Sequence, residues 1–231
     1  MAIAGVLFDF SGTLMRIESA ESWLRVAAER TGTAFEPSEL AERAAALEAA
    51  GALPGGGPPQ SVPPELAGLW RERDRDASGH RALYTGLARQ VPLPRPELYD
   101  VLYDRHMEPE AWHPYPDTSR VLGELSDRGL GVAVVSNIGW DLRPLFRSHG
   151  LDRWVDAFVL SYEHGVQKPD PRLFREACDA LGVPPQQALM VGDDPVADAG
   201  AAALGCAVHL VAHLPTGERP DGLLPVLRLV G

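Results

Sequence analysis

Lysine is almost missing from this chain: of 21 basic residues, 20 are arginine and one, Lys168, is lysine. A sequence so tolerant of guanidinium keeps an ammonium where a compact point charge on a flexible stem is wanted, so Lys168 is a candidate to sit between carboxylates and an anionic group. Cysteine is scarce too. Cys178 and Cys206 lie in apolar segments without metal-ligand spacing, which speaks against a disulfide framework or a zinc site and for two reduced core thiols. No apolar run reaches the roughly 18 residues of a membrane span, and the first residues carry neither a basic stretch nor a small-residue cleavage site. A soluble, cytoplasmic protein with no membrane partner is expected. Positive charge is also short: the formal net charge of -11 repels polyanions, and the one Arg-rich stretch, residues 70–75, alternates with Glu72 and Asp74 as a solvated helix face does. No nucleic-acid partner is expected.

What is present begins with Ala4-Gly5-Val6-Leu7-Phe8-Asp9-Phe10-Ser11-Gly12-Thr13-Leu14, an apolar run that delivers one carboxylate to a tight Ser-Gly-Thr turn. A buried parallel strand reads as such a run, and open α/β sheets place their ligands beyond the C-terminal ends of strands. Asp9 is therefore a candidate nucleophile.

Helical patterns follow over residues 19–30, from Pro37-Ser38 to Gly51, and over 65–76, 80–90 and 96–107, with no alternating strand among them. Between them, residues 51–64 are too rich in Gly and Pro for helix or central strand and read as a mobile loop. Trp112, His113 and Tyr115 read as packing residues on the return from this block. From Asp117 the rhythm changes: helix 118–128, strand 131–135, helix 142–149, strand 157–160, helix 171–181, strand 188–191, helix 195–204 and strand 207–210. Residues 216–231 carry no clear pattern. Such alternation predicts an α/β fold, a Rossmann-like parallel sheet built by right-handed crossovers, formed by residues 1–15 and 116–231 with an all-helical cap and its hinges, 16–115, inserted after the first strand.

Four strand ends then carry complementary polar groups: Asp9; Ser136-Asn137 after Val134-Val135; Lys168-Pro169; and Asp193-Asp194 with Asp198 after Val191-Gly192. This ordered set resembles the four motifs of the haloacid dehalogenase (HAD) superfamily, and Ser136-Asn137-Ile138-Gly139-Trp140-Asp141 with Lys168-Pro169-Asp170-Pro171 is similar to its small-phosphatase subfamily with a helical cap. The resemblance implies a hydrolase in which Asp9 attacks a phosphoryl group and forms an aspartyl-phosphate that water hydrolyses. It implies Mg2+ held by Asp9, the main-chain carbonyl of Ser11 and Asp193, with Asp194 and Asp198 orienting its waters and Lys168. It also implies that Ser136, main-chain N–H groups beyond Asp9 and at Asn137, and Lys168 bind or neutralise phosphoryl oxygens. The expected partner is a small phosphorylated molecule, and the expected state a monomer or homodimer.

One position departs from the family pattern. HAD phosphatases usually carry an Asp two residues after the nucleophile as general acid and base, and Ser11 stands there. A hydroxyl is a poor proton donor, so poor leaving groups should become poor substrates by about 10²- to 10⁴-fold. Two other readings stay open, a dehalogenase-like hydrolase and a non-catalytic or regulatory binding protein on the same fold. Phosphonate-cleaving relatives use a cap lysine, and residues 16–115 contain none. Dehalogenating relatives need no metal and do not keep an acidic pair such as Asp193-Asp194.

Overall fold

The computed structural model describes residues 2–231. The chain forms β1 (Gly5–Phe8), β2 (Met15–Ile17), α1 (Ala20–Thr31), α2 (Pro37–Ala49), α3 (Ala67–Glu72), α4 (Ala77–Ala88), α5 (Glu97–His106) and β3 (Trp112–Pro114). It continues with α6 (Thr118–Asp127), β4 (Gly131–Ser136), α7 (Arg143–Ser148), β5 (Ala157–Leu160), α8 (Ser161–His164), α9 (Pro171–Leu181), β6 (Ala188–Gly192), β7 (Ala207–Leu210) and α10 (Leu224–Leu229). Two compact units result, one of residues 1–16, 74–76 and 113–231, the other of residues 17–73 and 77–112.

The first unit is built on a five-stranded sheet of order β5-β4-β1-β6-β7, with every neighbouring pair parallel. Residues of both parities in the central strands are buried, as a sheet covered on both faces demands: Val6, Leu7 and Phe8 in β1, Val132 to Val135 in β4, Met190 and Val191 in β6. One face packs Leu7, Ala133, Val135 and Met190 against Leu173, Phe174, Ala177 and Cys178 of α9, each fully covered Leu or Phe contributing about 1.5–3 kcal/mol. α9 starts where Asp170 accepts from the Arg172 N–H at 2.9 Å, with Pro171 in its first turn, and stops at Gly182, whose φ of 66° suits a left-handed cap. Register brings Phe8 level with Val134 and Val191, so Asp9, Ser136 and Asp193 leave the sheet at one edge.

The second unit is mostly helical. Ser19 caps α1 by accepting from the Ser22 N–H at 3.2 Å, and the buried Trp23 indole donates to the Leu102 carbonyl at 2.8 Å, tying α1 to α5. Arg105 pairs with the buried Glu18 at 2.7 Å and with Glu108 at 3.0 Å, while Arg30 reaches Glu108 at 2.6 Å.

Several local expectations are corrected. The stretches expected as hinges are strands: β2 and β3 pair as a two-stranded ribbon, and the division between the units falls within each strand. Residues 51–64 are not simply a mobile loop, since Ala52 and Leu53 are buried and the Gln60 N–H closes onto the Ala49 carbonyl at 2.9 Å. The helix expected at 65–76 breaks after Glu72, and that at 195–204 is a 3-10 helix over Asp198–Leu204, tightened where Gly200 lies against Pro169. A Cβ at Gly200 would meet the Pro169 carbonyl oxygen at 2.8 Å. Trp112 and Tyr115 are buried as packing residues, but His113 is exposed. Cys178 and Cys206 are buried free thiols. Among the described residues no helix is long and apolar enough to cross a membrane.

Candidate active site

Asp9 follows β1 and is held in register by its N–H, which donates to the Val191 carbonyl of β6 at 2.9 Å. The chain then turns through Gly12, whose φ of +83° lies in the left-handed region. A Cβ at that position would lie 2.4 Å from His213 Nδ1 and 2.5 Å from Asp193 Oδ2, so only glycine lets the turn approach Asp193. The carbonyls of this turn are gathered from the far end of the chain. Arg219 donates to the carbonyls of Gly12 at 2.7 Å, of Ala212 at 3.0 Å and of Thr13, with its guanidinium 3.3 Å over the Tyr115 ring. The unpatterned C-terminal segment is thus part of the support for the candidate nucleophile.

Lys168 is almost fully buried, and its Nζ donates to Asp9 Oδ1 and to Asp198 Oδ1, each at 2.6 Å. Burial works against its charge, but Asp198 and Asp9 more than reverse that and raise its pKa. The Asp9 pKa is raised too, which for a carboxyl works against its charge. Burial, followed by the charges of Asp198 and Asp193, pushes its carboxyl well above the ordinary value although Lys168 pulls it down. Thr13 Oγ1 lies between Asp193 Oδ1 at 3.1 Å and Asp9 Oδ2 at 3.4 Å. Asp193 is also partly buried, yet its pKa is lowered, chiefly by the hydrogen bond and charge of His213.

Asp198 does more than hold Lys168. Its Oδ2 accepts from the Asp194 N–H at 3.0 Å, which folds the segment after β6 onto itself. Asp194 was expected to help steer waters and Lys168, but its Oδ1 accepts from the N–H groups of Val196 at 2.7 Å and Ala197 at 2.9 Å, so this carboxylate shapes the turn. Ser136 ends β4 almost fully buried, and its hydroxyl engages no other described side chain. The Asn137 side chain is engaged by the backbone of Lys168, and Ser11 pairs with Met15 in an isolated bridge. Asp9, Asp193 and Asp198 each offer one oxygen within 4.8 Å of the others, a grouping able to hold a cation.

Two residues at this edge gave no sequence signal. His213, in the loop after β7, bonds Asp193 Oδ2 through Nδ1, and Arg16 Nη1 bonds its Nε2. Neither residue sits in a motif, and only the folding of the segment after β7 past Gly12 brings them here.

A parallel α/β unit thus carries a buried carboxylate–ammonium–carboxylate cluster at the C-terminal edge of its sheet. The chain belongs to the haloacid dehalogenase-like hydrolases, whose family pattern matches residues 3–205. A haloacid dehalogenase-like hydrolase domain-containing protein 3 from Danio rerio is 29% identical over 197 residues, 84% of this chain and 78% of the relative. A phosphoserine phosphatase from Thermus thermophilus is 43% identical over 91 residues, 39% of this chain and 36% of that protein. An (S)-2-haloacid dehalogenase 1 from a Pseudomonas species is 32% identical over 157 residues, 61% and 68% of the two chains. A HAD-superfamily hydrolase structure from Geobacter sulfurreducens superposes with a TM-score of 0.67 at 18% identity, covering 99% of this chain and 97% of the other, which fixes the fold.

Proposed function

We propose that this hydrolase is a Mg2+-dependent phosphatase, which transfers the phosphoryl group of a small phosphorylated metabolite to Asp9 and then to water. The observation that carries the reading is the donor set. Asp9, Asp193 and Asp198 each offer one oxygen within 4.8 Å of the others, three carboxyls beside the one ammonium of Lys168. A hard divalent cation matches such an acidic, all-oxygen set. Carboxylate attack on a carbon–halogen bond has no use for such a cation.

The residues fit the ion: Asp9, Asp193 and the Ser11 carbonyl would hold it. When bound, it supplies charge neutralisation at the phosphoryl oxygens. The remaining steps fall to the chain. A carboxylate oxygen of Asp9 attacks phosphorus, the bond to the ester oxygen breaks, and the leaving group departs with the electron pair. Lys168 and the unengaged Ser136 hydroxyl bind the phosphoryl oxygens. With Ser11 in place of an acid, the departing oxygen takes its proton from water. Water then attacks the aspartyl-phosphate, releasing phosphate and restoring the carboxylate.

The test is a panel of aryl and alkyl phosphates assayed with Mg2+ or with chelator, beside halide release from 2-haloacids. Turnover is expected on aryl phosphates, lost with chelator and lowered by on the order of 10³-fold or more in Asp9→Asn. Metal-independent halide release would instead make the protein a dehalogenase. Absence of turnover and of metal binding would make it a binding protein.

A further inference from the structure

Asn137 carries one of the most definite contacts near the site. Its side-chain amide is closed on a single residue of a distant loop. Oδ1 accepts from the Lys168 N–H at 2.6 Å, and Nδ2 donates to the Lys168 carbonyl at 3.0 Å. Asn137 follows directly on β4, so this bidentate clasp fixes the Lys168 backbone to the central sheet. The same loop is pinned on another side, where Gly200 packs against Pro169 so closely that a Cβ would lie 2.6 Å from the Pro169 Cβ. The loop also closes internally through the Asp170 N–H to the Gln167 carbonyl at 3.0 Å.

Such fixing has a chemical purpose. Lysine has four rotatable bonds, and its side-chain freedom is worth about 2 kcal/mol when lost. Holding Nζ at 2.6 Å from both Asp9 and Asp198 requires the backbone from which the stem departs to be held as well. Among the described residues, no other side chain engages both the N–H and the C=O of Lys168. A residue that only packed would not need an amide, whose donor and acceptor match one peptide N–H and one carbonyl.

We propose that Asn137 is the positioning residue of Lys168, acting on the reaction only by setting where that ammonium stands. The proposal rests on the phosphatase reading for its kinetic consequence, but not for its structural one.

Because Lys168 is the only lysine, protein grown with 13Cε,15Nζ-lysine gives a single side-chain signal that needs no assignment. In wild-type protein this signal is expected at shifts displaced from those of free lysine, with restricted motion and an ammonium whose protons exchange slowly. Asn137→Ala should move it towards the motion-averaged values of a mobile lysine. Asn137→Asp keeps the acceptor and loses the donor, so it should fall between. Kinetically, Asn137→Ala should lower kcat on an aryl phosphate by about tenfold or more, with KM changed much less. In a Lys168→Ala background the same substitution should add almost nothing, since it acts through the missing ammonium. An unchanged lysine signal in folded Asn137→Ala, or the same loss with and without Lys168, overturns the proposal. If Asn137→Ala does not fold, Asn137→Asp carries the comparison with the same two criteria. Should wild-type protein hydrolyse no phosphate ester, the phosphatase reading fails, and the lysine spectrum still decides the clasp.

Discussion

Each unit of this protein buries a polar cluster, and the two solve opposite problems. In the sheet unit, Lys168 joins Asp9 and Asp198, with Asp193 beside them, and the ammonium keeps its charge. In the helical unit, His80 and His106 stack at 5.7 Å, with Tyr103 edge-on to His106 at 4.6 Å and its hydroxyl 2.8 Å from His80 Nδ1. There burial removes the charge. It lowers the His80 pKa to about 3, helped by Arg73, and drives His106 well below its ordinary value, helped by His80. A cluster whose rings burial holds neutral is packing. A cluster that sets a buried ammonium among three carboxyls is costly to fold and useful to chemistry.

The largest test of that contrast removes the ammonium. Lys168→Met leaves the three carboxylates of the sheet unit without their cation and should lower stability by about 3–5 kcal/mol in denaturant unfolding near pH 8. The loss should shrink on acidification. Asp9 has a raised folded pKa, so the folded state binds more protons than the unfolded one and gains stability as pH falls. Millimolar Mg2+ should recover part of the loss at pH 8, and a variant indifferent to both pH and metal would show that the cluster is not charged.

The helical unit should respond to acid in the other direction. Histidines with depressed folded pKa values leave the unfolded state with more bound protons between about pH 6.5 and about pH 3, the window set by His80. Stability is complete above that window and is lost on descending through it, by about 1.4 kcal/mol per pH unit for each histidine. His80→Gln should flatten the slope by about one proton, read from unfolding at pH 7 and pH 5. An unchanged slope would mean that His80 is protonated where it stands.

A third substitution probes how tightly the charged cluster is built. Gly12→Ala places a methyl group against His213 and Asp193 at a positive φ and should destabilise by about 1–3 kcal/mol, with weakened Mg2+ affinity in calorimetry. The smallest expected effect concerns Ser11. Ser11→Asp should raise hydrolysis of alkyl phosphates by about tenfold and aryl phosphates less, because only the alkoxide needs a proton. Equal effects on both classes would assign Ser11 another task.

Legibility in the sequence followed locality. The parallel strands and α9 announce themselves through apolar runs and caps, and Asp9, Lys168 and Asp193 each end or follow such an element. The β2–β3 ribbon did not, because its strands are three residues each and pair across nearly a hundred residues. The 3-10 helix at 198–204 reads as α-helical in the sequence because its Ala-rich composition is compatible with either form.

The sequence alone determined the alternating α/β order, the edge at which polar groups gather and the identity of those groups, since all of these depend on neighbours along the chain. Only the tertiary structure decided which partner each group takes. Asn137 faces Lys168 rather than solvent, Asp198 rather than Asp194 meets the ammonium, and His213, Arg16 and Arg219 arrive at the turn after β1 from remote segments. Hydrogen-bond partners across 30 to 200 residues are set by sheet register and loop packing, and no local pattern encodes those distances.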